Sequence, residues 1–267
     1  MPEGHTIHRQ ARMQNRDLAG RPIHVTSPQG RFADGASVLD GLRLESVDAA
    51  GKHLFYEWAD GPLLHVHLGL VGGFRRHRDD PPPPTEGTRL ALSGDSHTYY
   101  LSGPMVCELT DEEGRQEVIE KLGPDPLGRN TNGAASDRIL ERLQRRTIPI
   151  AQALLDQSVI AGLGNVYRAE ILFLTGINPH VESKAVTEAQ VESIWAESVD
   201  QLQAGERSGK IVTTRPADVG RRRRSDIKGG ERTYVYKRRG QPCRRCGTEI
   251  ERSEIAGRKI WWCPVCQ

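Results

Sequence analysis

The sequence predicts an α+β protein: an N-terminal β-sandwich with flanking helices, then a helical domain, then a hairpin module built on four cysteines. Three observations carry this. Short apolar segments at close spacing fill the stretch from Leu42 to Leu101, helical patterning takes over after Ser136, and Cys243, Cys246, Cys263 and Cys266 close the chain. A chain of 267 residues is long for one core, and 36% apolar residues are enough to fill two.

Residues 6–18 place Ile7, Ala11 and Leu18 at helical spacing, and Gly20 stops that helix. Strand-like segments follow around Leu42, Leu44 and Val47, then at 54–58, 63–67, 89–92 and 98–101. Gly, Asp and Pro separate them, as in a sandwich or barrel. Pro81 to Pro84 forms a stiff surface turn. Composition shifts to Gly, Asn and Pro near residue 122, which divides the chain into 1–122, a hinge at 123–135, a helical domain at 136–232 and the cysteine module at 233–267. In the helical part, Ser136 caps a segment through Leu143, and 150–155 and 166–174 form two more. Thr187 with Gln190 makes a capping box for a helix reaching about Leu202. Beyond Gly205 the composition is that of a flexible segment, and 233–237 reads as a strand leading into the cysteines.

Charge is concentrated. Between Arg221 and Arg245 eleven Lys and Arg face only Asp226 and Glu231, a net +9, which leaves −7 for the rest of a chain whose total is +2. Such a segment is the footprint of a polyanion binder. The cysteine pairs, each spaced Cys-x2-Cys with sixteen residues between, match a structural zinc site of four thiolates. Four thiolates saturate the ion, so one structural zinc and no catalytic metal are expected. Cys107 reads as a core residue. His65 and His67 alternate on one strand face without carboxylate or cysteine companions at matching spacing, so they read as hydrogen-bonded strand residues rather than metal ligands. No stretch approaches the roughly 20 apolar residues of a bilayer span, and no basic-then-apolar leader opens the chain. A soluble cytoplasmic protein without a membrane partner is expected.

The first residues, Met1-Pro2-Glu3-Gly4-His5, suggest covalent chemistry. With Met1 removed, Pro2 presents a secondary amine that can condense with an aldehyde or opened sugar, and an α-amino group titrating near pH 8 is partly neutral at pH 7. Glu3 stands one residue away as a proton carrier. Alone, a Met-Pro start marks only a processed terminus. Followed by Gly51-Lys52-His53-Leu54, by His67-Leu68-Gly69-Leu70, by LLDQSVIAGLGNVYRAE from Leu154 to Glu170 and by the four-cysteine module, it resembles the formamidopyrimidine-DNA glycosylase and endonuclease VIII family, nearer to endonuclease VIII. The resemblance runs almost the whole chain in order.

The resemblance implies a bacterial base-excision glycosylase with lyase activity acting as a monomer on damaged double-stranded DNA. It places Pro2 as the nucleophile at C1′, Glu3 as general acid and base, Lys52 near the reacting sugar and phosphate, and Arg258 on the zinc hairpin in the minor groove, assisting the last elimination. The segment from Leu154 becomes a helix-two-turn-helix element, in which Asn165 opens a helix whose free N–H groups can grip a phosphate. Leu70 corresponds to the residue filling the gap left by the flipped nucleoside, and Lys121 is placed among the DNA contacts. Two departures stand out. His5-Thr6 replaces a frequent Pro-Glu, removing a second acid near the nucleophile. The turn at Ser102-Gly103-Pro104 lacks the arginine and phenylalanine of purine-lesion members, which favours oxidised pyrimidines. Two other readings stay open: a glycosylase for bulky or alkylated bases, and a non-catalytic DNA-damage binder.

Overall fold

The computed structural model describes residues 2–128 and 134–267. The chain forms two compact units, Met1–Lys121 and Leu122–Gln267.

In the first unit, helix α1 (Gly4–Leu18) starts two residues earlier than the apolar spacing indicates, because the backbone carbonyl of Glu3 already accepts from Thr6 N–H at 2.8 Å. Two antiparallel sheets follow. One takes β1 (Arg21–Pro22), β3 (Arg43–Ala50), β4 (His53–Trp58), β5 (Leu63–His67) and β9 (Val106–Thr110) in the order β1-β3-β4-β5-β9. The other takes β2 (His24–Thr26), β6 (Gly73–Arg78), β7 (Thr88–Ser93) and β8 (His97–Ser102) in the order β2-β7-β8-β6. Leu54, Tyr56, Leu64 and Val66 share one core with Leu90, Leu92, Tyr99 and Leu101, and Ile7, Ala11 and Leu18 of α1 join it. The alternation of side chains along each strand makes this a sandwich.

Polar residues fix α1 to the sheets. Asn15 donates to the carbonyl of Val47 and accepts from its N–H at 2.8 Å, acting as a surrogate strand partner. Asp17, almost fully buried, accepts from Arg16 at 2.8 Å, Arg76 at 2.6 Å and Tyr99, and these hydrogen bonds overcome desolvation and hold its carboxyl well below the usual range. Helices α2 (Ala33–Leu39) and α3 (Glu112–Glu120), with β6 and β9, are additions to the sequence reading. β6 reads FRRHR after its glycine and is largely exposed, so apolar alternation does not reveal it.

The second unit holds α4 (Ala134–Gln144), α5 (Ile150–Ala153), α6 (Asn165–Leu174) and α7 (Glu188–Ser208), followed by a hairpin of β10 (Glu251–Ile255) and β11 (Arg258–Trp262). One core runs from Ile139 and Leu143 through Leu163, Ile171 and Leu202 to Ile255, Ile260 and Trp261. The Thr187–Gln190 capping box opens α7, which runs six residues past Leu202 to a left-handed Gly209. Ser136 lies inside α4, so it is not a cap. Of the expected hinge, Gly123 N–H and Pro124 C=O hydrogen-bond to Gln157 and Ala161 of the second unit, while 129–133 lie outside the described residues.

The strand expected at 233–237 is a turn instead. Its N–H groups at Tyr234, Val235 and Tyr236 converge on the fully buried carboxylate of Glu170 at 2.7, 2.9 and 2.7 Å, and Thr213 Oγ1 donates to the same group. Three successive N–H groups aimed at one anion require a curled backbone, which Lys237 completes at φ 59°. Burial pushes the Glu170 pKa up against these four hydrogen bonds. The arginine-rich stretch before it winds through 3-10 turns at Pro216–Val219, Arg224–Asp226 and Gly229–Glu231. Glu231 pairs there with Arg221 at 2.5 Å, and Asp226 Oδ2 accepts from Arg223 N–H at 3.2 Å. Among the described residues no helix is long and apolar enough to cross a membrane.

Candidate active site

Pro2 is half-buried and Glu3 fully buried at the head of α1. The Glu3 side chain takes no part in capping the helix, which leaves capping to its backbone carbonyl. The positive end of the α1 dipole adjoins Pro2. His5, 4% exposed, sets its Nε2 3.2 Å from Thr6 Oγ1. Burial first, then the amino-terminal charge and Arg9, lower its pKa to about 4, so it serves at pH 7 as a neutral hydrogen-bonding group and does not replace an acid. Met1 lies outside the described residues.

Lys52 occupies the tight turn between β3 and β4, made possible by Gly51 at φ 58°. Burial lowers the pKa values of His53 and His67, and the neighbouring charge of Lys52 adds to that lowering. The β5–β6 turn carries Leu70, 54% exposed, and Val71, 87% exposed. Gly72 is packed so tightly against the carbonyls of Leu68 and Gly103 that a Cβ would sit 2.3 and 2.8 Å from them. Beside this turn stands Met105, 68% exposed, anchored by its N–H to His67 C=O at 2.8 Å and lying against Gly69. Sequence reading missed Met105, because nothing in a lone methionine after Gly-Pro tells exposure from burial. Lys121 ends α3, exposed, 3.9 Å from Glu117 and at the last residue of the first unit.

In the second unit, Gly162 at φ 88° and a Gln157 side chain that bonds Gly162 N–H, Leu155 C=O and Leu163 C=O shape the connection between α5 and α6. Asn165 opens α6 and is 8% exposed. Its Nδ2 donates to Lys259 C=O at 3.2 Å and its Oδ1 accepts from Arg168, so the side chain is committed to the hairpin. Arg168, fully buried, donates to Lys259 C=O and to Ala151 C=O, both at 3.0 Å. Arg258 follows the two-residue turn Ala256-Gly257, whose φ values of 50° and 70° are those of a tight hairpin turn, and stands exposed at its tip.

The four cysteine sulfurs lie within 4.8 Å of one another, with Cys243 and Cys266 at 3.9 Å and Cys246 and Cys263 at 3.4 Å. Zinc with thiolates at about 2.3 Å needs edges of about 3.8 Å. The donor set fits a tetrahedral zinc. By contrast, His65 Nε2 lies 2.8 Å from His53 Nδ1, a hydrogen bond, and His65 and His67 join no metal-like cluster among the described residues.

Residues 1–103 match the formamidopyrimidine-DNA glycosylase N-terminal domain, 122–216 its H2TH domain, and 240–267 the zinc finger found in these enzymes and in isoleucyl-tRNA synthetases. Endonuclease 8 1 of Mycobacterium tuberculosis is 43% identical over 272 residues, covering all of both chains. The chain belongs to the formamidopyrimidine-DNA glycosylase and endonuclease VIII family. Another member, the DNA-(apurinic or apyrimidinic site) lyase Nei2 of Mycolicibacterium smegmatis, is 32% identical over 271 residues, covering 100% of this chain and 99% of that one. The crystal structure of the Thermus thermophilus family enzyme superposes with a TM-score of 0.77 at 29% identity, covering 100% and 98%. A Lactococcus lactis family enzyme in complex with abasic-site DNA gives 0.79 at 25% identity, covering 99% of each chain.

Proposed function

We propose that this protein is a bifunctional DNA glycosylase and abasic-site lyase of bacterial base-excision repair. The observation that carries the reading is the amino-terminal Pro2-Glu3 pair at the head of α1, with the carboxylate buried and not used as a cap, in a member of a family named for these activities. Pro2 attacks C1′ and Glu3 hands protons to the departing base and takes them from the sugar. The resulting iminium acidifies the C2′ proton, and β- then δ-elimination cuts the strand. Lys52 holds the adjoining phosphate, and Arg258 enters the minor groove from the hairpin. Leu70, assisted by Met105, fills the vacated stack. The N–H groups at Asn165 and the ammonium of Lys121 bind phosphates. The zinc, saturated by four thiolates, shapes the hairpin and leaves no open coordination position for water. The working partner is damaged duplex DNA, bound by a monomer in the bacterial cytoplasm.

Borohydride trapping on an abasic duplex tests the assignment. Wild type should be captured covalently and Pro2→Gly should lose most base excision while retaining weak lyase activity. Full excision by protein with Met1 demonstrably uncleaved would remove Pro2 from the mechanism. Within this activity, oxidised pyrimidines are the preferred lesions, because Ser102-Gly103-Pro104 offers no cation or aromatic ring to a purine lesion. Faster single-turnover excision of 8-oxoguanine than of 5-hydroxyuracil would overturn that preference.

A further inference from the structure

On the face of the five-stranded sheet turned away from the sandwich core, β4, β5 and β9 bring together His53, His65, His67 and Glu108. His65 and Glu108 are cross-strand partners, as are His53 and His67. His65 Nδ1 lies 3.3 Å from a Glu108 carboxylate oxygen and His65 Nε2 lies 2.8 Å from His53 Nδ1. The groups facing these imidazoles are Lys52 from the β3–β4 turn, Phe55 from β4, His67 from β5 and Glu108 from β9. Arg115 of α3 lies over Phe55 and pairs with Glu57 and Asp48.

The proton positions follow from the partners. A carboxylate only accepts, so His65 carries its proton on Nδ1. Burial above all keeps His53 at about 3 and His67 at about 4, and lowers His65 despite Glu108, so all three are neutral at pH 7. His65 Nε2 is then a lone pair, His53 must donate to it from Nδ1, and His53 Nε2 is left as an acceptor. His67 Nδ1 accepts from Gly69 N–H at 3.1 Å, which puts its proton on Nε2. One acceptor and one donor thus stand at adjacent rings, 4.7 Å between centroids, within the field of Lys52. At the other end Glu108 is 61% exposed, while His65 between them is 7% exposed.

We propose that His53, His65 and Glu108 form a proton conduit across the sheet face, carrying a proton taken up beside Lys52 out to solvent during elimination. His53 Nε2 gains a proton, the His53 Nδ1 proton moves to His65 Nε2, the His65 Nδ1 proton moves to a Glu108 oxygen, and Glu108 releases it to water. One proton enters, one leaves, and no electrons change hands. His53 is the group that meets the incoming proton, and His65 and Glu108 act through it. The chemistry served rests on the glycosylase and lyase reading, whereas the conduit is a property of the protein alone.

Two measurements separate them. Long-range proton–nitrogen NMR of the full chain at pH 7.5 should show His53 and His65 protonated at Nδ1 and His67 at Nε2. Either of the first two protonated at Nε2 overturns the conduit. On an abasic duplex, His65→Phe retains the ring stack and Glu108→Gln retains the accepted hydrogen bond, so both should reach the wild-type level of borohydride adduct but cut the strand more slowly. His65→Phe should lose on the order of 100-fold. Scission at the wild-type rate in both variants, or adduct and scission falling together, overturns the proposal. Failure of wild type to form any adduct counts against the lyase reading, and the NMR result then decides the conduit by itself.

Discussion

Lowering the pH from 7.5 to 5.0 should destabilise the first unit well before its carboxylates titrate. His5, His53 and His67 are held neutral by burial, with pKa values of about 4, 3 and 4. In the unfolded chain each returns to about 6.5. Above that value both states are neutral and stability is independent of these groups. Below it the unfolded chain binds a proton that the folded chain refuses, so stability falls with pH until each folded group also protonates. At pH 5 His5 and His53 each cost roughly 2 kcal/mol and the better-screened His67 less, so the three together cost about 4 to 6 kcal/mol if they act independently. That is comparable with the whole stability of an ordinary domain. Asp17 works in a different window, because its depressed pKa contributes stability that is lost only as pH drops below about 3.9. Urea titrations read from first-unit amide resonances at half-unit pH steps resolve the two. A midpoint that stays level to pH 5 and falls only below pH 4 would refute the reasoning.

Zinc removal should unravel the β10–β11 hairpin while leaving the first unit folded, and Cys263→Ser should weaken DNA binding through loss of the Arg258 tip; intact binding by protein shown to be zinc-free would contradict this. Leu70→Ala should slow excision from duplex far more than from single strands, and adding Met105→Ala should deepen the duplex defect; equal effects on both substrates would argue against a stack-filling role. Glu170→Gln puts an amide N–H among the N–H groups of Tyr234, Val235 and Tyr236 and should cost about 3 kcal/mol in second-unit stability, measured by chemical denaturation.

The sandwich, the capping box at Thr187 and the cysteine cluster were legible because each rests on local spacing: period-two alternation, a Thr-x-x-Gln pair, and Cys-x2-Cys knuckles. The turn at 234–236 was not, because Tyr-Val-Tyr has strand propensity and the anion that curls it, Glu170, lies more than sixty residues earlier. β6 escaped for the opposite reason, since a mostly exposed strand of Arg and His shows no buried face. The Pro2-Glu3 pair was visible in sequence, yet the burial of Glu3 and the neutrality of His5 depend on how α1 seats on the sheet. His65 and His67 read in sequence as hydrogen-bonded strand residues, and both imidazoles make hydrogen bonds in the sheet. Their connection to Glu108 required strand register that periodicity does not supply.

The shared carbonyl of Lys259 changes the mechanics of the hairpin. Held only by its cysteine root at Cys263, the tip would be a cantilever five residues long, about 17 Å at the usual strand rise. A 5° tilt at that root would swing the tip by about 1.5 Å, enough to misplace a catalytic group by the order of distance that costs 100-fold in rate. Arg168 and Asn165 grip the backbone one residue from Arg258. The free overhang shrinks to about 3.5 Å, and the same tilt about that support moves the tip by only about 0.3 Å. Small tilts of an intact metal site are thereby damped before they reach the arginine, so that the zinc keeps the hairpin folded while α6 sets its aim.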